Sequence, residues 1–486
     1  MKLTIKLVTD DGEQTLEAQR GELLSSVLAR YDIPLDMSCG GRGICKACPV
    51  SIDGETCLAC QARVEGEIRV DLDGIGAMQN IAAGEILDSL LVDPMFTQYG
   101  IAVDVGTTTV CVALLDRTGW VDTVTRKNPQ ASFGADVISR IEHALSGERH
   151  ALAGVIRTAL SDMIEELCAR HGVASGSIDA LVVTGNTAML YLLTEQNPAP
   201  LSRAPFLADR LFGEFVGATE LDLPVLSSAR VYLPRCISAF VGGDITCAIL
   251  ASGMCTEGKT ALLVDIGTNG EIVLWHDGVL TCCSTAAGPA LEGAGITYGT
   301  YGITGAIDRV WQENGIVRCS TIGGGPAKGI CGSGIVDAIA LMLELEIIDE
   351  TGAFSDDSDW FALQDGIGIT AADVRKVQLA KGAIRAGIET LLETEGVQKS
   401  EVETLYIAGG FGSQISLVSA AKIGLISEEM IDQTEVIGNA AHTGASMLLG
   451  DEALLDTTAH FAERARTVSL DANPVFTDHY MNCMMF

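Results

Sequence analysis

The stretch Ile101-Ala-Val-Asp104-Val-Gly106-Thr107-Thr108-Thr109-Val-Cys-Val-Ala-Leu-Leu115 contains an apolar run, a short polar turn and a second apolar run. The two runs predict paired strands joined by a tight turn. Backbone N–H groups and threonine hydroxyls at such a turn can surround a phosphate, while Asp104 can face Mg²⁺ or its bound waters. For one copy alone, a plain hairpin with ordinary turn chemistry is the better interpretation.

A second copy of the pattern favours the phosphate interpretation. Leu262-Leu-Val-Asp265-Ile-Gly267-Thr268-Asn269-Gly270-Glu271-Ile-Val-Leu274 repeats the two apolar runs and the polar turn. We predict that Asp104 and Asp265 handle Mg²⁺ and that Glu271 polarises a water molecule. The predicted phosphate contacts are Gly106, Thr107, Thr108, Thr109, Gly267, Thr268, Asn269 and Gly270.

Two further segments are candidates for the same site. Gly409-Gly410-Phe411-Gly412 ends an apolar run, and its glycines permit close approach to an adenosine, although such a segment alone is a weak turn signal. Asp244 follows two glycines and is a candidate metal or water ligand. The alternative for Asp244 is that it only caps a helix.

A cysteine-rich segment predicts an iron–sulfur site. Cys39-Gly-Gly-Arg-Gly-Ile-Cys45-Lys-Ala-Cys48 resembles the plant-type C-x₄-C-x₂-C arrangement, although its first gap has five residues. Its glycines let the backbone curl and direct N–H groups at sulfur. We predict Cys39, Cys45, Cys48 and Cys60 as ligands of a [2Fe–2S] cluster, with Cys57 as a competitor for Cys60. A zinc site of Cys45, Cys48, Cys57 and Cys60 has formally good spacing, but it leaves Cys39 and the glycines unexplained.

The pattern of strands and helices predicts an α/β and α+β multidomain protein. Residues 1–71 begin with alternating strands, a helix and the cysteine loop, which is the order of a β-grasp ferredoxin. Residues 72–98 are predicted as a connector. Apolar strands that alternate with amphipathic helices, such as Val155–Ala169, then predict two related lobes, over residues 99–257 and 258–486.

Composition excludes several functions. The 486 residues are 48% hydrophobic with a formal net charge of −33, which argues against nucleic acid and anionic membranes as partners. No signal peptide or long apolar stretch is present, so we expect a cytoplasmic protein. Fifteen cysteines in such a chain favour reduced thiols or metal ligation over disulfides. The isolated cysteines predicted to pack in the core are Cys111, Cys168, Cys236, Cys247, Cys255, Cys319 and Cys331.

The order of the two phosphate motifs and the adenosine motif resembles the superfamily of acetate and sugar kinases, heat-shock chaperones and actin (ASKHA). Within it, the chain is similar to the reductive activators of corrinoid enzymes, in which a two-lobed ATPase follows an N-terminal [2Fe–2S] domain. Further matching motifs are Val183-Thr-Gly-Asn186-Thr-Ala-Met189, Ser238-Ala-Phe-Val-Gly242-Gly243-Asp244-Ile-Thr246, Ala287-Gly-Pro-Ala-Leu-Glu292-Gly-Ala294, Gly329-Ile-Cys-Gly332-Ser333-Gly334 and Gly438-Asn439-Ala-Ala-His-Thr-Gly444. Two departures are the short Cys48-to-Cys60 interval and the short connector.

This resemblance implies an ATP-hydrolysing activase that transfers a low-potential electron from its cluster to a Co(II) corrinoid and restores Co(I). A one-electron gap of roughly 0.2 V costs about 5 kcal/mol, which ATP can supply. The implied partners are a corrinoid protein or corrinoid methyltransferase and an upstream low-potential electron donor, and the chain could form a homodimer. The open alternatives are another, dehydratase-type acceptor, a redox-sensing regulator and a small-molecule kinase.

Two C-terminal features are expected to be structural. We interpret His442 as a surface or hydrogen-bonded histidine rather than a nucleotide contact. We expect the apolar tail, residues 479–486, to pack against a lobe rather than to bind a partner.

Overall fold

The computed structural model describes residues 2–9, 12–31, 49–52, 55–59, 61–64, 66, 68–71, 91–134, 136–223, 226, 229–356, 358–409 and 415–486. Several predictions concern residues outside this set. These are the predicted cluster ligands Cys39, Cys45, Cys48 and Cys60, the connector up to residue 90, and Gly410, Phe411 and Gly412 of the adenosine motif.

The N-terminal part is a five-stranded mixed sheet with one helix, in the order β2-β1-β5-β3-β4. Leu3, Ile5 and Leu7 of β1 face the core, where Leu24 and Leu28 of the helix also lie. The alternation in the sequence therefore predicted the buried face of β1, and the β-grasp prediction is confirmed. The elements are β1 (Lys2–Thr9), β2 (Gly12–Gln19), α1 (Leu24–Arg30), β3 (Pro49–Ile52), β4 (Glu55–Leu58) and β5 (Ile68–Asp71).

The first lobe is built on a six-stranded sheet in the order β10-β11-β9-β6-β7-β8. The predicted hairpin is present as β6 and β7, which pair antiparallel, and β9 pairs parallel with β6. The predicted helix at Val155–Ala169 lies within a longer helix, α3. The elements are β6 (Tyr99–Val105), β7 (Thr109–Asp116), β8 (Gly119–Lys127), α2 (Val137–His143), α3 (Arg149–His171), β9 (Ile178–Gly185), α4 (Thr187–Leu193), β10 (Glu214–Gly217), β11 (Arg230–Leu233) and α5 (Gly243–Ser252).

The second lobe repeats this arrangement in a sheet of order β21-β20-β12-β13-β14-β22. Its hairpin, β12 and β13, carries the second phosphate motif, and β20 pairs parallel with β12. The elements are β12 (Ala261–Ile266), β13 (Gly270–His276), β14 (Val279–Thr285), β15 (Ala306–Glu313), β16 (Ile316–Thr321), β17 (Gly329–Ile330), α6 (Gly332–Glu344), β18 (Trp360–Ala362), β19 (Gly368–Thr370), α7 (Ala371–Glu395), β20 (Thr404–Ala408), α8 (Leu417–Lys422), β21 (Thr434–Gly438), α9 (Ala440–Gly450), α10 (Leu454–Arg464), β22 (Arg466–Thr467) and α11 (Pro474–Cys483).

Two helices, α5 and α9, lie between the sheets. Cys247 of α5 packs in the cluster on the first sheet, and Ile245 of the same helix packs in the cluster on the second. At Gly444 of α9 a β-carbon would lie 2.0 Å from the main-chain oxygen of Cys247. Glycine is therefore required at Gly444 for the two helices to approach this closely.

The C-terminal tail packs against α7, as predicted. The ammonium of Lys381 is buried, donates to the main-chain oxygen of Met485 and lies 5.1 Å from the Phe486 ring centroid. The main-chain N–H of Phe486 donates to Glu350 at 2.9 Å. Among the described helices, none combines the length and apolar character needed to cross a bilayer.

Candidate functional site

A cleft of about 130 Å³ forms where the turns of the two hairpins meet the N-terminal ends of α4, α5 and α9. Both phosphate motifs contribute to its wall, so residues far apart in sequence become neighbours. The lining residues are Asp104, Gly106, Thr107, Thr108, Thr109, Asn186, Asp244, Asp265, Ile266, Gly267, Thr268, Asn269, Glu271, Glu292, Gly409, Asn439 and Ala441.

The second phosphate loop, residues 267–269, is held by its own hydrogen bonds. The N–H of Gly267 donates to the carbonyl of Asn269 at 3.0 Å, and the carbonyl of Thr268 accepts from Gly288 at 2.8 Å. Gly409 has a φ of 95° and lies against the end of β12, immediately before this loop. A β-carbon at Gly409 would lie 2.5 Å from the carbonyl oxygen of Ile266, so the adenosine motif approaches the end of β12 this closely only because this residue is glycine.

Two asparagines present amide groups to the cleft while they cap helices. The Asn186 carbonyl accepts from the N–H of Met189 at 2.9 Å, so its amide nitrogen faces the Thr107 hydroxyl at 3.1 Å. Asn439 likewise accepts from His442 at 3.0 Å and donates to the Asp104 carboxylate at 2.9 Å. The Asn439 contact joins the second lobe to the predicted magnesium-handling residue of the first lobe.

The cleft is strongly acidic. Five of its lining residues are Asp or Glu, and none of the described lining residues is Lys, Arg or His. Burial raises the pKa of Asp104 to about 6, and burial with the neighbouring Asp104 and Glu292 raises the pKa of Asp265 to about 7. Burial followed by Asp265 and Asp104 raises the pKa of Asp244 to about 8. The carboxyl groups therefore resist ionisation together unless a cation is present.

Two glutamates complete this acidic lining. Glu271 lies in β13, where it accepts from the Ser284 hydroxyl at 3.1 Å, and burial raises its pKa well above the usual value. Glu292 accepts from the Thr268 hydroxyl at 2.8 Å. Burial also raises the pKa of Glu292, although hydrogen bonds from Thr268 and Thr108 oppose the rise. Glu292 thus interacts with the threonines of both phosphate loops.

The donor set fits a hydrated Mg²⁺ that is shared with a polyphosphate. Within the described residues, no group of three or more His, Cys, Asp or Glu side chains converges closely enough to bind a metal alone. Mg²⁺ ordinarily keeps several waters and takes one or two protein carboxylates together with phosphate oxygens. Asp104 and Asp265 face one cleft from opposite lobes and match that requirement.

The structure brings together most residues predicted for the nucleotide site. Gly270 does not line the cleft; it begins β13, where a β-carbon would lie 2.8 Å from side-chain atoms of Ile384 and Thr285. Asp244 lines the cleft and is the second residue of α5, where its carboxylate accepts from the N–H of Ile245 at 2.8 Å. The N-cap of α5 is Gly242 and has no side-chain cap, so the alternative that Asp244 only caps the helix is wrong. Sequence reasoning did not single out Asn186, Glu292 and Asn439 as site residues. A usable signal for the asparagines is that each follows the glycine ending a strand, in Thr184-Gly185-Asn186 and Ile437-Gly438-Asn439.

His442 confirms one part of its prediction and corrects another, since it does not line the cleft but is buried rather than on the surface. The side chain is 8% exposed and does not line the cleft, and its Nε2 atom has no hydrogen-bond partner in the part of the chain that the structure describes. Burial lowers its pKa to about 4, although a hydrogen bond with the main chain of Ala102 raises it. It is therefore a buried, neutral histidine rather than a surface or fully hydrogen-bonded one.

Three family models match the chain. The 2Fe-2S iron-sulfur cluster binding domain matches residues 8–67, the RACo middle region matches residues 99–257, and the C-terminal domain of RACo, the ASKHA domain, matches residues 259–486. The corrinoid activation enzyme RamQ of Eubacterium limosum is 31% identical over 586 residues, covering 98% of this chain and 98% of its own. The chain belongs to the RACo family.

Two further relatives of this RACo-family chain are also named for corrinoid proteins. The [Co(II) methylated amine-specific corrinoid protein] reductase of Methanosarcina barkeri is 24% identical over 420 residues, covering 79% of this chain and 76% of its own. A solved structure titled reductive activator for corrinoid, iron-sulfur protein has a TM-score of 0.74 and 25% identity. That comparison covers 100% of this chain and 98% of the solved one, which confirms the ferredoxin-like and ASKHA fold class.

The matched model describes a 2Fe-2S domain, and the match spans all of the cysteines considered for either site. It therefore supports the iron–sulfur interpretation over the zinc alternative. Cys57 is the one member of that set within the described residues. It lies on β4, packs against the apolar core of the N-terminal domain, and burial raises its pKa.

Proposed function

We propose that the chain uses ATP binding and hydrolysis to drive a low-potential electron to the Co(II) corrinoid of a partner protein, restoring Co(I). The observation that carries this proposal is the cleft in which two phosphate loops and five carboxyl groups meet, in a chain whose N-terminal part matches a 2Fe-2S domain. A polyphosphate can enter so acidic a cleft only with a divalent cation, because no described lining residue supplies positive charge.

The proposal gives roles to the principal residues of the cleft. Asp104 and Asp265 hold the hydrated Mg²⁺ that accompanies ATP, and Thr107, Thr108, Thr268 and Asn269 hold phosphate oxygens. The hydroxyls of Thr108 and Thr268 exchange their hydrogen bonds to Glu292 for bonds to phosphate when the nucleotide binds. Gly409 admits the nucleoside next to the second loop. Magnesium charge lowers the pKa of neighbouring acids, so Glu271 becomes able to accept a proton from the attacking water.

The N-terminal domain provides the electron carrier. When bound, the [2Fe–2S] cluster supplies one-electron chemistry at low potential. We assign its ligands as Cys39, Cys45, Cys48 and Cys60. The place of Cys57 on a strand packed against the apolar core supports Cys60 as the fourth ligand.

The partner is a corrinoid protein or corrinoid methyltransferase, since the two relatives described above are named for corrinoid activation and Co(II) corrinoid reduction. An upstream low-potential donor reduces the cluster, and a homodimer is a further prediction about the assembly. With a net charge of −33, docking requires local complementarity or a basic patch on the partner.

An anaerobic assay of cobalt reduction tests the proposal. The protein is mixed with a Co(II) corrinoid methyltransferase subunit and a low-potential reductant, and the cobalt absorbance is followed with and without Mg-ATP. We expect Co(I) to form only with Mg-ATP. Cys45→Ser and Asp265→Ala should each abolish its formation, because one removes a cluster ligand and the other a magnesium ligand.

Matched variants control for nonspecific damage. Cys319→Ser changes a half-buried cysteine of β16 and Asp432→Ala changes an exposed aspartate, so both should keep the wild-type rate. Cobalt reduction that does not depend on ATP would contradict the proposal. Phosphate transfer to acetate, glycerol or a sugar would favour a kinase, whereas nucleotide binding with an intact cluster and no Co(I) would favour another acceptor or a sensor.

A further inference from the structure

The first phosphate loop is held from behind at three consecutive main-chain carbonyls. The Gly106 carbonyl accepts from Asn128 Nδ2 at 2.8 Å, and the Thr107 carbonyl accepts from Arg140 Nη2 at 2.7 Å. The Thr108 carbonyl accepts from the main-chain N–H of Asn128, also at 2.8 Å. The two donor residues, Asn128 and Arg140, are not among the predicted nucleotide-site residues, and neither lines the cleft.

Both side chains are fully buried and fixed in orientation. Asn128 Oδ1 accepts from the N–H of Gln130 at 2.9 Å, so its amide nitrogen must be the atom that faces Gly106. Arg140 also donates from Nε to the Gly134 carbonyl at 3.0 Å and from Nη1 to the Met189 sulfur at 3.3 Å. All of these direct partners of Arg140 are neutral acceptors, and among the described residues Asp136 is the carboxylate that acts on its charge from beyond ion-pair distance.

The geometry of the peptide bond determines where the N–H groups of the first loop point. In a planar trans peptide the C=O and the following N–H point in opposite directions. Because the carbonyls of Gly106 and Thr107 point toward Asn128 and Arg140, the N–H groups of Thr107 and Thr108 point away from them. In the described part of the chain, neither of these N–H groups has a protein acceptor, and both residues line the cleft.

The second phosphate loop is held differently: the Thr268 carbonyl accepts from the main-chain N–H of Gly288 at 2.8 Å, and within the described residues no side chain donates to a main-chain carbonyl of residues 267–269. The Gly267 N–H is already bonded to Asn269, and the Thr268 hydroxyl is bonded to Glu292. The two loops are alike in sequence, yet the first alone has a buried cation behind it. Free N–H donors next to a buried positive charge form a suitable environment for a phosphate group.

We infer that Arg140 and Asn128 are positioning residues that hold the first loop with its N–H groups directed at the nucleotide phosphates. Arg140 also supplies the positive charge that the cleft lining lacks. This inference rests on the proposed binding of Mg-ATP in the cleft.

Isothermal titration of the full chain with Mg-ATP and with adenosine tests the inference. Arg140→Met should raise the Kd for Mg-ATP about tenfold or more, because a charged hydrogen bond to the loop is lost. The Kd for adenosine should not change, since adenosine has no phosphate. Asn128→Asp keeps the bond to Gln130 but replaces the donor facing Gly106 with an acceptor, so it should weaken Mg-ATP in the same selective way.

Arg157→Met is the matched control. Arg157 is also a buried arginine of the first lobe, but it donates to the Leu193 carbonyl at 3.0 Å and not to the loop. Arg157→Met should change neither the Kd for Mg-ATP nor the Kd for adenosine. The Kd of Arg140→Lys for Mg-ATP should lie between those of the wild type and Arg140→Met. Wild-type affinity for Mg-ATP in both Arg140→Met and Asn128→Asp, or an equal loss of ATP and adenosine affinity, would overturn the inference. Failure of the wild-type chain to bind Mg-ATP would instead refute the proposed function.

Discussion

Asp244 shows how the cleft balances the stability of the fold against metal binding. It shares a buried site with Asp265 and Asp104, and burial, followed by the negative charges of these two residues, raises its pKa to about 8. In the unfolded chain its pKa returns to about 3.9. Ionised Asp244 is therefore unfavourable in the folded protein unless a cation is bound.

Asp244→Asn should stabilise the nucleotide-free protein and weaken Mg-ATP binding. The folded-state pKa lies above the unfolded one, so the cost of Asp244 is absent below about pH 4, grows as the pH rises and is complete above about pH 8. We expect the variant to melt about 2–4 °C higher at pH 8, equivalent to about 1 kcal/mol. Differential scanning calorimetry at pH 8 and pH 5 measures this, and the gain should shrink at pH 5. An equal rise in melting temperature at both pH values would show that the charge of Asp244 is not the cause of the stabilisation.

The site residues differ in how well the sequence revealed them. Asp104, Thr107, Asp265 and Thr268 belong to two local repeats, and the structure places all four in the cleft. Glu292 follows a separate strand and reaches the cleft only through tertiary packing. The sequence motif around it was recognisable, but nothing local distinguished its carboxylate from those on the surface.

The contact between α5 and α9 determines how the two lobes meet. Asp244 lies at the start of α5 and Asn439 caps α9, so both helices also position cleft residues. Because Gly444 sits against the backbone of Cys247, any side chain there would separate the helices.

Gly444→Ala should destabilise the protein by about 1–3 kcal/mol, because the added β-carbon overlaps a main-chain oxygen that cannot rotate away. Gly154→Ala is the matched control, since Gly154 is a glycine within α3 with open space around its β-carbon position. It should stabilise by about 0.5–1 kcal/mol through helix propensity. Chemical denaturation of the two variants compares them, and similar stability for both would contradict the proposed close packing.

Local patterns predicted the elements better than their packing. The alternation at Leu3, Ile5 and Leu7 and the apolar runs around Asp104 and Asp265 predicted strands that the structure contains. The contact of α9 with the first sheet was not predicted, because it joins residues distant in sequence and depends on the shape of both lobes. The burial of His442 follows from that packing, which explains why its sequence context was misleading.

For the whole molecule, nucleotide and metal should stabilise the fold only together. At one hundred times its Kd, Mg-ATP should add about 2.7 kcal/mol to the free energy of unfolding. ATP with EDTA should add almost nothing, because five carboxyl groups then face an unneutralised triphosphate. Thermal shift measurements with ATP, Mg²⁺, Mg-ATP and ATP with EDTA test this. Equal stabilisation by ATP in EDTA would contradict the requirement for a cation.

The buried thiols have a consequence for loading the protein with iron. All eleven cysteines within the described residues have a raised pKa, chiefly through burial, so each stays a protonated thiol near neutral pH. Six of these cysteines are buried and five are half-buried. Ferrous iron and sulfide react with thiolates, so a protonated thiol is a poor ligand, and burial further restricts access to it. Reconstitution of the folded apoprotein should therefore stop at two irons per chain even with excess reagent, whereas an unfolded chain would capture iron indiscriminately.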